Sequence, residues 1–362
     1  MLPLIKTYIP PREILMPKIE EILYGGYIAQ GEVVENFERK FEEFIGSGYT
    51  LSLNSGTAAL HIALILAGVK EGDEVISTAM TAEPTNVAIK MVGAKVRWAD
   101  IDYETGNISP EAIENAINSK TKAIIVVDYA GTSVDVKTIQ EISKKYSIPV
   151  IEDAAHGLGT TYNKKKSGNH FPFTVFSFQA IKHLTTIDGG ALQIQDKELY
   201  EKGKLIRWFG LDKKLTRLNN DIQFQGYKYH MNNVNAAIGL VQLENIQNIL
   251  QKYITIGKYL DVELNGIPSV ETVIHYPNTE SSYWLYTLKV DRREHFISMM
   301  TDNGFMSSEI HKRNDRHTYL NDYPTAMPNL DKFYSRLVHI PCGWWVTLED
   351  CDKMIELIKK GW

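Results

Sequence analysis

The sequence predicts an α/β protein: a large domain over residues 1–240 with a mostly parallel sheet between helices, then a smaller α+β domain over residues 241–362. Three observations predict it. Between residues 49 and 153 short apolar runs alternate with helical runs, a rhythm that implies right-handed βαβ crossovers and parallel strands. Beyond residue 240 the rhythm stops. A chain of 362 residues is also longer than one small core normally organises, so two domains are expected.

Taken in order, residues 12–45 read as helical segments broken at Gly25-Gly26 and Gly31. Val34, Phe37, Phe41 and Phe44 recur at spacings of three and four, which puts them on one helix face. A strand over residues 49–53 turns at Asn54-Ser55-Gly56-Thr57 into an apolar helical run over 58–67. Residues 74–78 form the next strand, and Pro84 suits the first turn of a helix ending near Val92. Strands follow over 95–100, 123–128 and 149–153, separated by a helix over 110–118 and another ending near Tyr146. An apolar strand then runs into Ser177, a polar stretch carries Lys182, and the chain turns at Gly189-Gly190 into a second strand over 191–194. Residues 197–207 read as helix and 211–225 as a long loop. A long helix from about Val234, through Leu243 and Leu250, links the two domains. The smaller one has a strand over 283–290 and helices over 294–303 and 348–360.

Composition narrows the class. Hydrophobic content of 44% and charged content of 23% are those of a soluble globular protein. With 39 basic and 44 acidic residues the net charge is −5, which argues against nucleic acid or an anionic membrane as main partner. The run Lys164-Lys165-Lys166 reads as a solvated loop tip. Cys342 and Cys351 are too few for a zinc site or a disulfide framework, so no metal is expected and a reducing cytosol is. The N-terminus lacks the basic-then-apolar order of a signal peptide. The most apolar stretch, 58–69, contains His61 and falls short of the roughly 20 residues that span a bilayer. A cytoplasmic location is expected.

Ligands of open α/β sheets bind beyond the carboxyl ends of the strands. Three polar groups fall there: Ser55-Gly56-Thr57, Asp153 and the stretch 177–182. A strand that turns at Ser-Gly-Thr into a helix exposes the first helical N–H groups to an anion, although a plain hydroxyl N-cap is the commoner meaning of such residues. Likewise a lone lysine between strands is ordinarily solvent-facing, and an aspartate after a strand is often a cap. Together the three groups are the parts needed to hold a phosphorylated aromatic cofactor against an amine.

The motifs Ser55-Gly-Thr-Ala-Ala-Leu60, Gly72-Asp-Glu-Val-Ile76, Ile151-Glu-Asp-Ala-Ala155 and Ser177-Phe, with Lys182 and Gly189-Gly190 after them, occur in one order. That order resembles the DegT/DnrJ-type sugar aminotransferases, which are fold-type I pyridoxal-phosphate enzymes. The likeness runs from about residue 20 to the C-terminus and is densest over 50–245. The resemblance implies a seven-stranded, mostly parallel sheet, with pyridoxal 5′-phosphate as cofactor. It implies Lys182 as the amine that forms the Schiff base with the cofactor aldehyde, which requires a neutral amine and hence desolvation or nearby positive charge. It implies Asp153 as the acid paired with the pyridinium nitrogen, keeping the ring able to accept electrons. Gly56 and Thr57 match the phosphate cradle and Ser177 a further phosphate ligand. His156 stands where many relatives carry glutamine near the ring hydroxyl. Ala82 stands where relatives often stack an aromatic residue on the ring, which leaves the ring's cover open.

The resemblance further implies a homodimer in which the segment 226–232 completes the partner's site. Relatives commonly place asparagine where Lys228 stands, so the phosphate contact passes to Lys228, His230 or Asn232, of which the cationic Lys228 is favoured. His183 is either a cofactor neighbour or merely buried, and the basic segment 311–317 is either substrate-contacting or a solvated loop. The implied reaction is a two-step transamination from an amino acid, glutamate first among them, to a keto-sugar. A nucleotide-linked keto-deoxy sugar for surface polysaccharide or glycoside synthesis is the implied acceptor, with Lys182 moving the proton. Three rival readings exist. Sugar dehydration uses histidine in place of the lysine, against which Lys182 speaks. Transfer to a small phosphorylated ketone is left open by Ala82. A non-catalytic binding protein on the same fold has no need of Asp153, Ser177 and Lys182 together.

Overall fold

The structure is a computed structural model and describes residues 1–362. Helices α1 (Arg12–Tyr24) and α2 (Glu32–Ile45) precede β1 (Tyr49–Leu53) and α3 (Gly56–Leu66). The chain continues through β2 (Glu74–Ser77), α4 (Glu83–Met91), β3 (Lys95–Trp98), α5 (Pro110–Ala116), β4 (Thr121–Val127), α6 (Val136–Tyr146) and β5 (Val150–Asp153). A hairpin of β6 (Thr161–Tyr162) and β7 (Lys165–Lys166) leads to β8 (Phe173–Ser177), β9 (Gly190–Ile194) and α7 (Lys197–Arg207). After α8 (Asn233–Leu264) come β10 (Val270–Thr272), β11 (Thr279–Glu280), β12 (Tyr286–Val290), α9 (Arg293–Asp302), α10 (Pro328–Arg336), β13 (Leu337–Ile340) and α11 (Leu348–Lys360).

Seven strands form the central sheet in the order β1-β9-β8-β5-β4-β2-β3. Only the two pairings of β9 are antiparallel. The reason is local: β8 returns as β9 without a crossover helix, so the lysine-bearing loop is a broad hairpin rather than a βαβ connection. Strands β2, β5 and β9 are buried along their whole length, as expected for a sheet covered on both faces. Val34, Phe37 and Phe41 on α2 are fully buried. Phe37 meets Phe178 edge to face at 5.5 Å and Phe41 meets Phe176 at 5.2 Å. The helix face read from spacing therefore supports the entry to the lysine loop, while Phe44 stays half-buried at its end.

Helix α8 runs 32 residues, and position 240 falls inside it. Its later turns, with Ile254, Leu260 and Leu264, pack on a second core formed with the antiparallel sheet β10-β12-β13 and with α9 and α11. Residues 1–6 join this part too: Leu2 bridges to Phe305, and the indole N–H groups of Trp345 and Trp344 donate to the carbonyls of Pro3 and Lys6. Trp284, Leu330 and Phe333, all beyond position 240, belong to the first core.

Two local expectations change. The strand read over 283–290 begins at Tyr286, because Tyr283 takes a φ of 47° and turns the chain before it can extend. The lysine run is not a loop tip throughout: Asn163 and Lys164 make the turn with positive φ, and Lys165-Lys166 pair with β6 as strand β7. No helix is long and apolar enough to cross a membrane.

Candidate active site

A cavity of about 370 Å³ opens where several strands of the sheet end. Its walls are Ser55, Gly56 and Thr57 after β1, residues Thr81 to Thr85 entering α4, Asp153, Ala155 and His156 after β5, Ser177, Gln179 and Lys182 after β8, Asp188-Gly189, and His311. A larger groove, about 710 Å³, lies between α1, α2 and α8, but no strand end reaches it and no histidine, aspartate or cysteine lines it. The chemistry gathers in the smaller one.

One end is an anion cradle. Ser55 caps α3, its Oγ accepting from the Ala58 N–H at 3.0 Å. Gly56 and Thr57 then open the helix, whose first N–H groups lack intrahelical acceptors. The turn lies tight against its neighbours. A Cβ on Gly190 would stand 2.5 Å from the Gly56 nitrogen, and one on Gly56 would stand 3.1 Å from the Cβ of Ser177. Glycines at both positions let the turn, the start of β9 and the Ser177 hydroxyl converge.

Asp153, buried at the end of β5, accepts from the Thr85 hydroxyl at 2.8 Å and from the Ala155 N–H at 3.1 Å. Thr85 Oγ1 in turn lies 2.8 Å from Thr81 Oγ1. Burial raises the carboxyl above its ordinary pKa, while these donors and the Lys182 charge oppose the rise. The two threonines that orient the acid went unread in the sequence. Their signal was a pair spaced by four at the entry to α4, where hydroxyls at a helix start face the ends of neighbouring strands.

Lys182 enters the same cavity. Burial lowers its amine from 10.5 to about 7, with the Asp153 carboxylate pulling the other way. The Nζ lies 3.9 Å from the centroid of the Trp284 ring. The His156 imidazole stacks on that indole at 3.9 Å and 21°. Its Nδ1 receives the Ala130 N–H at 3.4 Å, which leaves the proton of the neutral ring on Nε2. Burial first, then the neighbouring Lys182 charge, holds His156 well below its ordinary value. His311 lines the cavity, with a buried Nε2 that has no partner, and burial lowers it to about 4.

The other residues read from the sequence sort themselves plainly. Ala82 lines the cavity and contributes only a methyl, so no aromatic side chain stands there. His183 is buried outside the cavity, its Nε2 3.1 Å from the Ser282 carbonyl and its ring edge on Tyr253. Lys228 and His230 do not line this chain's cavity. They run along the outer side of β1: the Lys228 carbonyl accepts from Asn54 Nδ2 at 3.3 Å, and His230 bridges Leu53 while packing on Trp208 at 4.3 Å. The basic segment 311–317 divides. Arg313 is buried and paired with Asp315 and Asp331, Asn314 is buried against Asn86 and the Thr81 carbonyl, and Lys312 and Arg316 are exposed.

An amine for an aldehyde, a carboxylate for a ring nitrogen, an imidazole N–H for a ring oxygen and a helix start with a hydroxyl for a phosphate all fit pyridoxal 5′-phosphate. With the parallel sheet behind them they define a fold-type I pyridoxal-phosphate enzyme. The model of the DegT/DnrJ/EryC1/StrS aminotransferase family matches residues 12–359, and the chain belongs to that family. It is a pyridoxal-phosphate-dependent aminotransferase. It is 34% identical to the sugar aminotransferase CalS13 of Micromonospora echinospora, with a TM-score of 0.96 over 100% of both chains. It is 33% identical to the UDP-4-amino-4,6-dideoxy-N-acetyl-β-L-altrosamine transaminase of Campylobacter jejuni, covering 95% of this chain and 94% of that protein. It is 30% identical to the spore coat polysaccharide biosynthesis protein SpsC of Bacillus subtilis, covering 94% and 92% respectively.

Proposed function

We propose that this enzyme moves an amino group from an amino acid, L-glutamate in the first instance, to a nucleotide-linked keto-deoxy sugar for surface polysaccharide or glycoside synthesis. The observation that carries the transamination is Lys182, with a lowered pKa, in one cavity with buried Asp153 and the start of α3. The sugar acceptor is supported by the C. jejuni transaminase and the M. echinospora sugar aminotransferase. Synthesis of a polysaccharide is supported by the B. subtilis spore coat protein.

In this reading each side chain has one task. Bound pyridoxal phosphate supplies an electron sink for the carbon that loses its proton. Gly56, Thr57 and Ser177 hold the phosphate. Asp153 keeps the ring nitrogen protonated, and Thr85 fixes that carboxylate from behind. The Nε2–H of His156 donates to the ring oxygen. Lys182, its amine lowered by burial, takes the proton from substrate carbon and returns it.

A second copy of the chain completes the site. Tyr24, Tyr27, Leu218 and Ile222 are 85%, 78%, 97% and 59% exposed, apolar side chains that a partner could cover. Asn232 is committed to capping α8 through the Asn235 N–H. That leaves exposed Lys228, or His230 with its unpartnered Nδ1, to reach the partner's phosphate. Residues 1–240 and 241–362 serve as the large and small domains, apart from residues 1–6, which pack with the second, and Trp284, Leu330 and Phe333, which pack in the first. The two buried free cysteines suit a cytoplasmic enzyme.

The test is a screen of glutamate-dependent conversion across nucleotide keto-sugars and small phosphorylated ketones, read by mass. Amination of a keto-sugar is expected. Amination of the ketones alone would transfer the assignment to the smaller substrate class, for which the bare wall at Ala82 leaves room.

A further inference from the structure

One support of the cavity comes from far along the chain. The segment between β11 and β12 bends at Tyr283 and docks on the turn at residues 129–131. The Ser282 N–H and the Ser281 hydroxyl donate to the Gly131 carbonyl at 3.1 and 2.9 Å, and the Leu285 N–H donates to Ala130 at 3.3 Å. A Cβ on Gly131, whose φ is 94°, would stand 2.8 Å from the Tyr283 nitrogen, so only glycine admits the segment. The docking seats Trp284, 1% exposed, beneath the lysine loop. Its indole N–H donates to the Ile181 carbonyl at 2.9 Å, the His156 ring stacks on the indole at 3.9 Å, and the Lys182 Nζ lies 3.9 Å from its ring centroid.

We propose that Trp284 is a positioning residue of the reaction: its π face is the seat of the Lys182 amine whenever that amine is not bonded to a carbonyl carbon, and its N–H fixes the loop that carries it. The proposal rests on the aminotransferase reading of the cavity. Across a transamination the lysine is released in the first half-reaction, carries a proton in each half as a free amine, and returns to the same carbon only at the end of the second. An unseated four-carbon stem would sample many rotamers between those events. The ring quadrupole attracts the ammonium form, and burial favours the neutral form. Trp284 thus offsets part of the desolvation that depresses the amine.

The other groups facing Lys182 are Asp153, which raises it, the imidazoles of His156, His183 and His311, and Glu83 and Asp188 at the cavity rim. Burial keeps all three imidazoles neutral near pH 7, so a titration above that pH reports the lysine itself.

The experiment is competitive acetylation of the full-length, cofactor-free chain over about pH 6 to 10, with the modified fraction of Lys182 read by mass. Wild type, Trp284→Leu and Trp284→Phe are compared, each checked for a cooperative melt. Loss of the ring face in Trp284→Leu should lower the Lys182 midpoint by about half a unit to one unit. Trp284→Phe, which keeps a weaker π face, should fall between the two and serves alone if the leucine variant does not fold. If Trp284 only fills space, its removal admits water and the midpoint rises towards that of an ordinary lysine. An unchanged or raised midpoint in the folded variants overturns the proposal. Pyridoxal phosphate added to wild type separates the two ideas: a chain that stays colourless defeats the aminotransferase reading, whereas the acetylation midpoints judge Trp284 by themselves.

Discussion

The cavity and the neighbouring flank of residues 205–232, outside it, are finished to different degrees. On the sheet flank Asp153 has two donors, Ser55 caps α3, and His156 is held by Ala130 and Trp284. On the flank of residues 205–232 the His230 Nδ1 and the Arg207 Nε are buried without partners, and Leu218 is 97% exposed. Buried polar groups are normally satisfied and large apolar side chains normally covered. The cradle and the groups after β5 and β8 are thus complete within one chain, whereas residues 205–232, outside the cavity, leave buried polar atoms unpaired and apolar side chains exposed.

Substitutions on the sheet flank should have the largest effects. Lys182→Ala should abolish turnover, a loss of about ten-thousand-fold, and borohydride should no longer fix cofactor to the chain, as peptide mass would show. Retained turnover would remove Lys182 from its role. Asp153→Asn should still bind cofactor but exchange amines about a hundred- to a thousand-fold more slowly, measured in single half-reactions. An unimpaired exchange rate would mean that the ring nitrogen does not depend on this carboxylate.

The other flank should respond more gently and, in the proposed dimer, across two chains. Lys228→Ala should weaken cofactor binding about tenfold, the effect of one charge-assisted hydrogen bond, measured by cofactor titration. Mixing it with Lys182→Ala should restore full cofactor affinity at about a quarter of all sites. One in two dimers is then mixed, and one of its two sites draws an intact lysine from each chain. A mixture in which every site that keeps Lys182 binds cofactor as weakly as Lys228→Ala alone would show that the two regions do not meet across two chains.

The smallest effect concerns acid. Burial holds His61, His230 and His311 near 4 and His183 and His339 near 3, against 6.5 in the unfolded chain. As pH falls from about 6.5 towards 4 the unfolded state takes up protons that the folded state resists, so stability falls. Glu42, Asp128 and Asp153, raised by burial, act in the opposite sense, but three carboxyls face six imidazoles, since His156 is lowered by burial too. Melting temperature should drop by several degrees between about pH 7 and pH 4.5. A flat or rising profile would show that the histidines are already hydrated when folded.

Much of this was legible in the sequence because the informative residues sit at strand ends. Lys197–Arg207 and Leu348–Lys360 are helices over the limits that their patterns suggest, and Lys182 and Asp153 reach one cavity as strand order requires. Trp284 was not legible. Its neighbours Ser-Ser-Tyr and Leu-Tyr read as one more apolar strand, and only the left-handed Tyr283 and the bare Gly131 turn it under the lysine. Thr85, beside Pro84, reads as an ordinary helix start until Asp153 is known to lie across from it. Pairs of this kind depend on contacts distant in sequence, which spacing does not encode.

The bond from Trp284 to the Ile181 carbonyl spans 103 residues. A ribosome adds about 5–20 residues per second, so the reactive amine is made several seconds before its support. Through that interval the nascent chain can pair β1 to β9 in the central sheet while the lysine loop still lacks the indole beneath it. Completion of the pocket is therefore a late event of synthesis, and a chain released before Tyr283 and Trp284 would carry every residue named at the strand ends without the surface on which the amine rests.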